Sequence, residues 1–80
     1  MKVYISADIE GITGTTVWSE TELNAPDYQF SARQMTKEVE AAIEGAIAGG
    51  ATEILIKDAH DSARNLHIEN LPVNCKIIRG

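Results

Sequence analysis

Two acidic residues, Asp8 and Glu10, separated by a single residue, directly follow the apolar run 3–7. In an extended chain, residues two apart project to the same side, with Cα atoms ~7 Å apart. Two carboxylates that converge to ~4 Å repel by roughly 4 kcal/mol at an effective dielectric constant near 20. Folding alone gives no reason for such a pair. A bound cation would remove the repulsion, so the pair indicates a metal site.

A second group of polar residues, Asp58 and His60, follows the apolar run 54–56. Carboxylates together with an imidazole suit zinc, manganese or cobalt, whereas calcium and magnesium rarely bind histidine. Asp8, Glu10 and His60 are therefore the candidate metal ligands, and three protein ligands leave room for water on the ion. Such an ion lowers the pKa of its bound water to ~7. We expect Asp58 either to orient the imidazole or to cap the loop.

The segments that must position these residues follow from hydrophobic periodicity. Strands are predicted over 2–7 and 53–57, with a third, short strand over 74–79. A helix is predicted over 27–48, with Asp27 as its N-cap and a Gly-Gly pair at its end. The apolar character of the first strand predicts that both its faces are covered. The segment 66–71 fits either a short helical turn or irregular structure.

This order of elements predicts an α/β fold built on a βαβ unit with parallel strands, plus the short third strand. In open parallel sheets, ligands bind at the carboxyl ends of the strands. Asp8, Glu10, Asp58 and His60 would then share one edge of the sheet, although fifty residues separate the two groups. Residues 1–80 are expected to form a single α/β domain or the N-terminal part of one.

The segment 11–26 is rich in Gly, Thr and Ser, and its length is typical of a binding loop. Trp18 and Leu23 are its apolar residues, and Trp18 is expected to serve in packing or at an interface. A phosphate-binding loop is rejected, because the segment has no lysine and follows two acids. Elsewhere, Met35 is expected in the core and His67 at the surface.

Composition excludes several function classes. Twelve acidic and seven basic residues give a net charge of −5, and the bases are scattered, which argues against nucleic-acid binding. No apolar stretch approaches the ~20 residues of a membrane span, so no membrane partner is expected. Cys75 is the sole cysteine, expected to be partly buried at the start of the third strand, and the absence of disulfides indicates a cytoplasmic protein.

The chain resembles the D-aminopeptidase family of zinc peptidases, the type named after the dipeptide-transport operon, from its first residue to its last. The opening strand with its acid pair, part of the helix, the turn before the second strand and the second polar group all take part. The matching residues are Asp8-Ile9-Glu10-Gly11-Ile12, Gly14, Arg33, Met35-Thr36, Glu38, Gly50-Ala51-Thr52-Glu53, Asp58-Ala59-His60 and Asn65.

The resemblance implies a two-zinc aminopeptidase that removes N-terminal D-residues from short peptides and assembles into a homo-oligomer. By position, Asp8, Glu10 and His60 resemble the ligands of the first metal, and Asp8 resembles a bridge to the second. Two ions ~3.5–4 Å apart can act together on the attacking water and the carbonyl oxygen. The fold implied is a larger three-layer α/β fold, of which these residues would form the N-terminal part.

The sequence departs from the family pattern at two positions. Family members usually carry a small hydroxyl residue where this chain has Ala59, and often Gly or Ser where it has Asp61. Family enzymes are also much longer, with further metal ligands and the catalytic histidine at positions equivalent to residues beyond 80. We therefore expect the catalytic residues outside this chain, which alone would hold half of the metal site and be inactive.

Two other functions fit part of the pattern. An acid pair after a first strand, with Thr and Gly nearby, is shared with haloacid dehalogenase-like phosphohydrolases, in which Asp8 would be the nucleophile. Those enzymes carry Asp where this chain has Glu10 and use no histidine like His60. A non-catalytic, metal-binding α/β module is the third possibility.

Overall fold

The computed structural model describes residues 1–80 and has one sheet of three strands. The strands are β1 (Lys2–Ala7), β2 (Glu53–Asp58) and β3 (Lys76–Ile78), in the spatial order β1-β2-β3, and both pairs are parallel. Helix α1 (Tyr28–Ala48) connects β1 to β2. The predicted α/β class and the parallel βαβ unit are confirmed.

Helix α1 lies against one face of the sheet because its apolar residues recur every three or four positions. Its buried apolar side chains are Tyr28, Ala32, Met35, Val39 and Ile43. They pack with inward-facing strand residues such as Ile54 and Ile56 and with Ile9, which follows β1. Met35 is fully buried, so its predicted place in the core is confirmed.

The opposite face of the sheet is bare within these residues. Burial alternates along β1, where Lys2, Tyr4 and Ser6 are exposed. The prediction that both faces of β1 are covered is therefore wrong for this chain. The physical reason is that α1 is the one long helix and can cover a single face.

Two short 3-10 helices lie in the connections. One spans Trp18–Thr21 within the predicted loop 11–26, and the other spans Ile68–Asn70, which resolves the ambiguous segment 66–71 as a short helical turn. No helix of the structure combines the length and the apolar composition needed to cross a membrane.

The ends of the elements differ slightly from prediction. Helix α1 begins at Tyr28, and Asp27 occupies the N-cap position without a side-chain hydrogen bond to the helix. Strand β2 extends to Asp58, and β3 is shorter than the predicted 74–79. Strand β3 pairs only with β2, and three of its residues find partners there, which limits its length.

Three single residues test the finer expectations. Cys75 is partly buried, as predicted, but it directly precedes β3 and does not lie at its start. His67 is half-buried, with its backbone N–H donating to the Thr36 hydroxyl. Trp18 is 74% exposed, so it packs little within this chain, and only its expected role at an interface remains open.

Candidate metal centre

The turn after β1 presents two carboxylates at the sheet edge. The Ile9 side chain is fully buried, so its neighbours Asp8 and Glu10 point away from the core. The Asp8 side chain is fixed locally, because its Oδ1 accepts the Ile9 N–H at 2.8 Å. Gly11 has φ +91°, a conformation that glycine adopts without strain, and it turns the chain sharply away from the sheet.

The register of the sheet brings the end of β2 beside this turn. Ala7 pairs with Asp58, and the Ala59 N–H donates to the Ala7 carbonyl at 2.8 Å, which extends the pairing by one residue. His60 therefore starts from a backbone position next to the acid pair. The sequence prediction that the two polar groups share one edge is met by this register.

Three side chains converge at that edge: Asp8, Glu10 and His60. The His60 Nδ1 lies 3.1 Å from Asp8 Oδ1 and 3.0 Å from Glu10 Oε1. One ligand atom from each residue falls within 4.8 Å of the other two. Ligand atoms bound at ~2.1 Å to a tetrahedral ion lie roughly 3.4 Å apart, so the donor set fits a zinc-sized ion with little movement.

The burial of the three side chains is unequal. The imidazole is 13% exposed, whereas the Asp8 and Glu10 side chains are 57% and 45% exposed. The imidazole is thus on the protein side of the site, and the two carboxylates are on the solvent side. An ion held here would be open to water on the carboxylate side.

The backbone carbonyl of Thr21 fixes the orientation of the His60 ring. The ring Nε2 lies 2.6 Å from this oxygen. A carbonyl oxygen only accepts hydrogen bonds, so Nε2 carries the proton that it donates. The contact thereby leaves Nδ1, the atom that faces both acids, as the ring nitrogen that a metal can bind.

Thr21 could not be found by sequence reasoning. A backbone carbonyl is present in every residue, so its role leaves no mark in the residue type. The only indirect signal is the length of the loop 11–26, which lets the chain return to the sheet edge.

Asp58 does not contact the imidazole, and of its two expected roles the structure supports the loop cap. The residue is 1% exposed. Its Oδ2 accepts the backbone N–H groups of Asn65 at 2.6 Å and Leu66 at 2.9 Å. Its Oδ1 accepts the Asn65 side-chain amide at 2.8 Å. Asp58 thus closes the loop that carries His60.

Asn65 connects this loop to helix α1. Its side-chain amide also donates to the His60 carbonyl at 2.7 Å, and its Oδ1 accepts the Tyr28 hydroxyl at 2.5 Å. Between His60 and Asn65, the loop backbone takes left-handed conformations at Asp61 (φ +45°) and Ala63 (φ +58°). Asp61 occupies the position where the family often has Gly or Ser, and Asp tolerates this conformation better than most residues.

The electrostatic environment follows from these contacts. Partial burial acts to raise the pKa of Asp8, but the Glu10 carboxyl, the Ile9 N–H and the charge of His60 together hold that pKa below its ordinary value of 3.8. Burial, and secondarily the charges of Asp58 and Asp61, raise the pKa of Tyr28 above 10.0. Asp8 therefore stays ionised at neutral pH, as a metal ligand must, and Tyr28 stays neutral.

The fold and the site together define an α/β protein with a carboxylate–imidazole cluster at the carboxyl edge of a parallel sheet. The model of the D-aminopeptidase family of peptidases matches residues 1–80. The chain therefore belongs to the D-aminopeptidase family, which confirms the resemblance read from its residues.

Individual relatives agree with this assignment. The chain is 34% identical over 80 residues to a D-aminopeptidase of Bacillus subtilis (strain 168), covering 100% of this chain and 29% of the relative. It superposes with a TM-score of 0.96 and 34% identity on the solved structure of the Zn-dependent D-aminopeptidase DppA from Bacillus subtilis, a self-compartmentalizing protease. The alignment covers 100% of this chain and 29% of that structure. The chain thus spans 29% of the length of both relatives.

Proposed function

We propose that this chain forms the zinc-binding N-terminal part of a metallo-aminopeptidase, with Asp8, Glu10 and His60 as ligands of one zinc ion. The activity proposed for the whole protein is removal of the N-terminal residue from short peptides, with preference for D-residues. Family membership and the zinc dependence of the solved relative support this reading.

One observation carries the proposal: the aim of the His60 ring. Its Nδ1 lies within 3.1 Å of both carboxylates, while its Nε2–H is bound by the Thr21 carbonyl. Two exposed neighbouring acids are solvated by water, so solvation alone does not explain why a histidine is placed against them. A ring whose Nε2–H is held by a backbone carbonyl and whose Nδ1 stands next to two carboxylates is the arrangement that a divalent ion requires.

The residues of the chain have distinct parts in this mechanism. When bound, zinc supplies Lewis acidity, which lowers the pKa of a coordinated water to ~7 and polarises the scissile carbonyl. Asp8 and Glu10 supply the negative charge that neutralises the cation. His60 supplies a neutral nitrogen whose direction is set by Thr21. The loop held by Asp58 keeps the imidazole in place while the exposed carboxylates leave a face open to water and substrate.

Asp8 is the proposed bridge to a second ion. The resemblance to the family supports this role, and the exposed Asp8 side chain would be accessible to a second ion. The remaining ligands and the catalytic residues are proposed to lie outside residues 1–80, in agreement with the length of the relatives. We further propose that the whole protein is cytoplasmic and assembles with copies of itself, as the self-compartmentalizing relative does.

The phosphohydrolase alternative receives no support from the site. An anionic phosphate would need cations next to Asp8, and no lysine or arginine forms an ion pair with this residue, whose neighbours are Glu10 and His60. In such an enzyme, loss of His60 would leave magnesium binding unchanged, which provides a clear difference from the zinc proposal.

The test is zinc content measured by elemental analysis of the purified protein and of the His60→Ala variant. We expect His60→Ala to lose most of the bound zinc. His67→Ala is the matched control, because it removes a second imidazole of the same chain that lies outside the cluster, and it should retain zinc. Equal zinc content in His60→Ala and the unmodified protein would refute the proposed site.

A further inference from the structure

The Thr21 carbonyl that binds the His60 ring belongs to the 3-10 helix Trp18–Thr21. Thr21 is the last residue of this short helix and is only 5% exposed. Its hydroxyl donates to the Trp18 carbonyl at 2.8 Å, which links the end of the helix to its beginning. The direction of the Thr21 carbonyl therefore depends on how the first residues of this helix are held.

The side chain of Glu20 holds the backbone at the start of the 3-10 helix. Its Oε1 accepts the N–H groups of Thr16 at 2.8 Å and Val17 at 3.0 Å. The Glu20 backbone N–H donates in return to the Val17 carbonyl at 3.1 Å. A glutamate three residues after the N-cap stabilises the first turn of an α-helix in the same way. The entry into the 3-10 helix is thus fixed by hydrogen bonds in both directions.

The Glu20 carboxylate is charged when it makes these contacts. The N–H groups of Thr16 and Val17 hold the pKa of Glu20 below its ordinary value of 4.5. Hydrogen bonds to a charged acceptor are stronger than those to a neutral one. The side chain is only partly buried, so it fills no space in the core. Replacing it should therefore disturb the 3-10 helix without opening a cavity in the protein interior.

We propose that Glu20 is a positioning residue for the metal centre: it fixes the 3-10 helix that directs the Thr21 carbonyl to Nε2 of His60. The inference rests on the proposed zinc site, to which it adds a residue outside the ligand set. Three hydrogen bonds, of 3.0, 2.8 and 2.6 Å, connect the Glu20 carboxylate through this helix to the imidazole. Partners that orient a metal-binding histidine affect metal affinity although they do not touch the ion.

The test compares Glu20→Ala with Glu20→Gln in the protein expressed from its natural reading frame. Glu20→Ala removes the acceptor of both N–H groups, whereas Glu20→Gln keeps an amide oxygen that can accept them. In the zinc-free protein, nitrogen-15 NMR follows the Nε2 proton of His60. We expect this proton to exchange with water faster in Glu20→Ala than in the unmodified protein, because its hydrogen bond to Thr21 is weakened.

Zinc affinity provides the second measurement, by competition with a chelator. Glu20→Ala should weaken zinc binding by about tenfold, the lower end of the ~10–100-fold effect of residues that orient metal-binding histidines. Glu20→Gln should keep most of the affinity. Glu22→Ala is the matched control, because it removes an exposed acid of the same loop and the same charge. Its zinc affinity and its His60 ring proton should stay close to those of the unmodified protein.

Several results would overturn the inference. One is an unchanged ring proton or an unchanged zinc affinity in folded Glu20→Ala. Another is an equal loss of affinity in Glu20→Ala and Glu22→Ala, or in Glu20→Ala and Glu20→Gln, because the total charge would then explain it. Unfolding of Glu20→Ala, seen by circular dichroism, would show that Glu20 is needed for the whole fold and not for one ring.

Failure of the proposed function gives a different result. The unmodified protein would then bind no zinc at His60, whichever residue stands at position 20. The exchange of the His60 ring proton is measured without zinc, so it would still decide whether Glu20 positions the imidazole.

Discussion

The two aspartates that end neighbouring strands, Asp8 and Asp58, have opposite environments. Asp58 is 1% exposed and accepts three N–H groups from Asn65 and Leu66. Asp8 is 57% exposed, accepts one backbone N–H and contacts His60. The two residues are of the same type and lie near each other along one sheet edge, yet only Asp8 has oxygens free for an ion.

The difference shows that the ends of β1 and β2 have separate roles at this edge of the sheet. A buried carboxylate whose oxygens are already occupied stabilises the loop and is closed to metal. An exposed carboxylate contributes little to stability and remains available to bind. Rigidity thus comes from the end of β2, and charge comes from the end of β1.

Replacing each aspartate by alanine should have the largest effect. Asp58→Ala leaves three donors without their acceptor in the protein interior, so we expect the free energy of unfolding to fall by about 3–5 kcal/mol. Asp8→Ala removes an exposed side chain and should change it by less than about 1 kcal/mol. Urea denaturation, measured without zinc, provides both values.

Asp8 should matter for zinc affinity, although it matters little for stability. Asp8→Ala is expected to weaken zinc binding at least about tenfold, because a ligand and a negative charge are lost together. A folded Asp8→Ala protein with unchanged zinc affinity, or an Asp58→Ala protein of undiminished stability, would contradict the division of roles.

The pH dependence of zinc binding separates the imidazole from the carboxylates. Zinc binds Nδ1 of His60 only where no proton occupies that atom, so protons and zinc compete for it. The pKa of Asp8 is held below 3.8, so this carboxylate stays ionised at pH 5. We expect zinc affinity to fall as the pH is lowered from 7 to 5. Competition with a chelator measures it, and constant affinity down to pH 5 would exclude the imidazole.

Tyr28 tests the stabilising role of the hydrogen bonds around Asp58, to which it is linked through Asn65. Tyr28→Phe removes the hydroxyl that donates to Asn65 and leaves that acceptor unpaired, so stability at pH 7 should fall by about 1–2 kcal/mol. Because the pKa of Tyr28 is raised in the folded state, the unfolded chain loses this proton first. The stability of the unmodified protein should therefore be complete below pH ~10 and decline as pH rises further. Tyr28→Phe should lack the part of that decline due to Tyr28, and denaturation curves from pH 8 to 11 compare the two.

The smallest effect is expected at Ala63. Its φ of +58° is a left-handed conformation that costs a non-glycine residue ~1–2 kcal/mol. Ala63→Gly relieves this strain but gives the unfolded chain more freedom, so a net gain of about 0.5–1 kcal/mol is expected. Thermal unfolding of the zinc-free protein measures it, with Ala42→Gly in the middle of α1 as a control that should lose stability. Because the Ala63 methyl group is also buried, a loss of stability greater than the ~0.8 kcal/mol of one buried carbon group would show that this backbone is unstrained.

The main elements of the fold were accessible from sequence because their signals are local. The periodicity of α1 and the apolar runs of β1 and β2 identify the βαβ unit, and parallel pairing then places Asp8, Glu10 and His60 at one edge. Metal binding by these residues stays a prediction.

The features that sequence reasoning missed depend on contacts between distant parts of the chain. The Thr21 carbonyl acts through its backbone, so no residue type marks it. The role of Asp58 depends on its burial. The sequence shows an acidic residue close to His60, but it does not show whether that residue is buried. The loop turns Trp18 outward, a direction that residue type alone does not give, and its role at an interface stays a prediction.

Nitrogen-15 NMR of the histidine rings during zinc titration tests the central claim most directly. We predict that zinc shifts the Nδ1 resonance of His60, while Nε2 keeps its proton in the hydrogen bond to Thr21. His67 should not respond. A zinc-induced shift at Nε2 of His60, or at His67 in its place, would contradict the account.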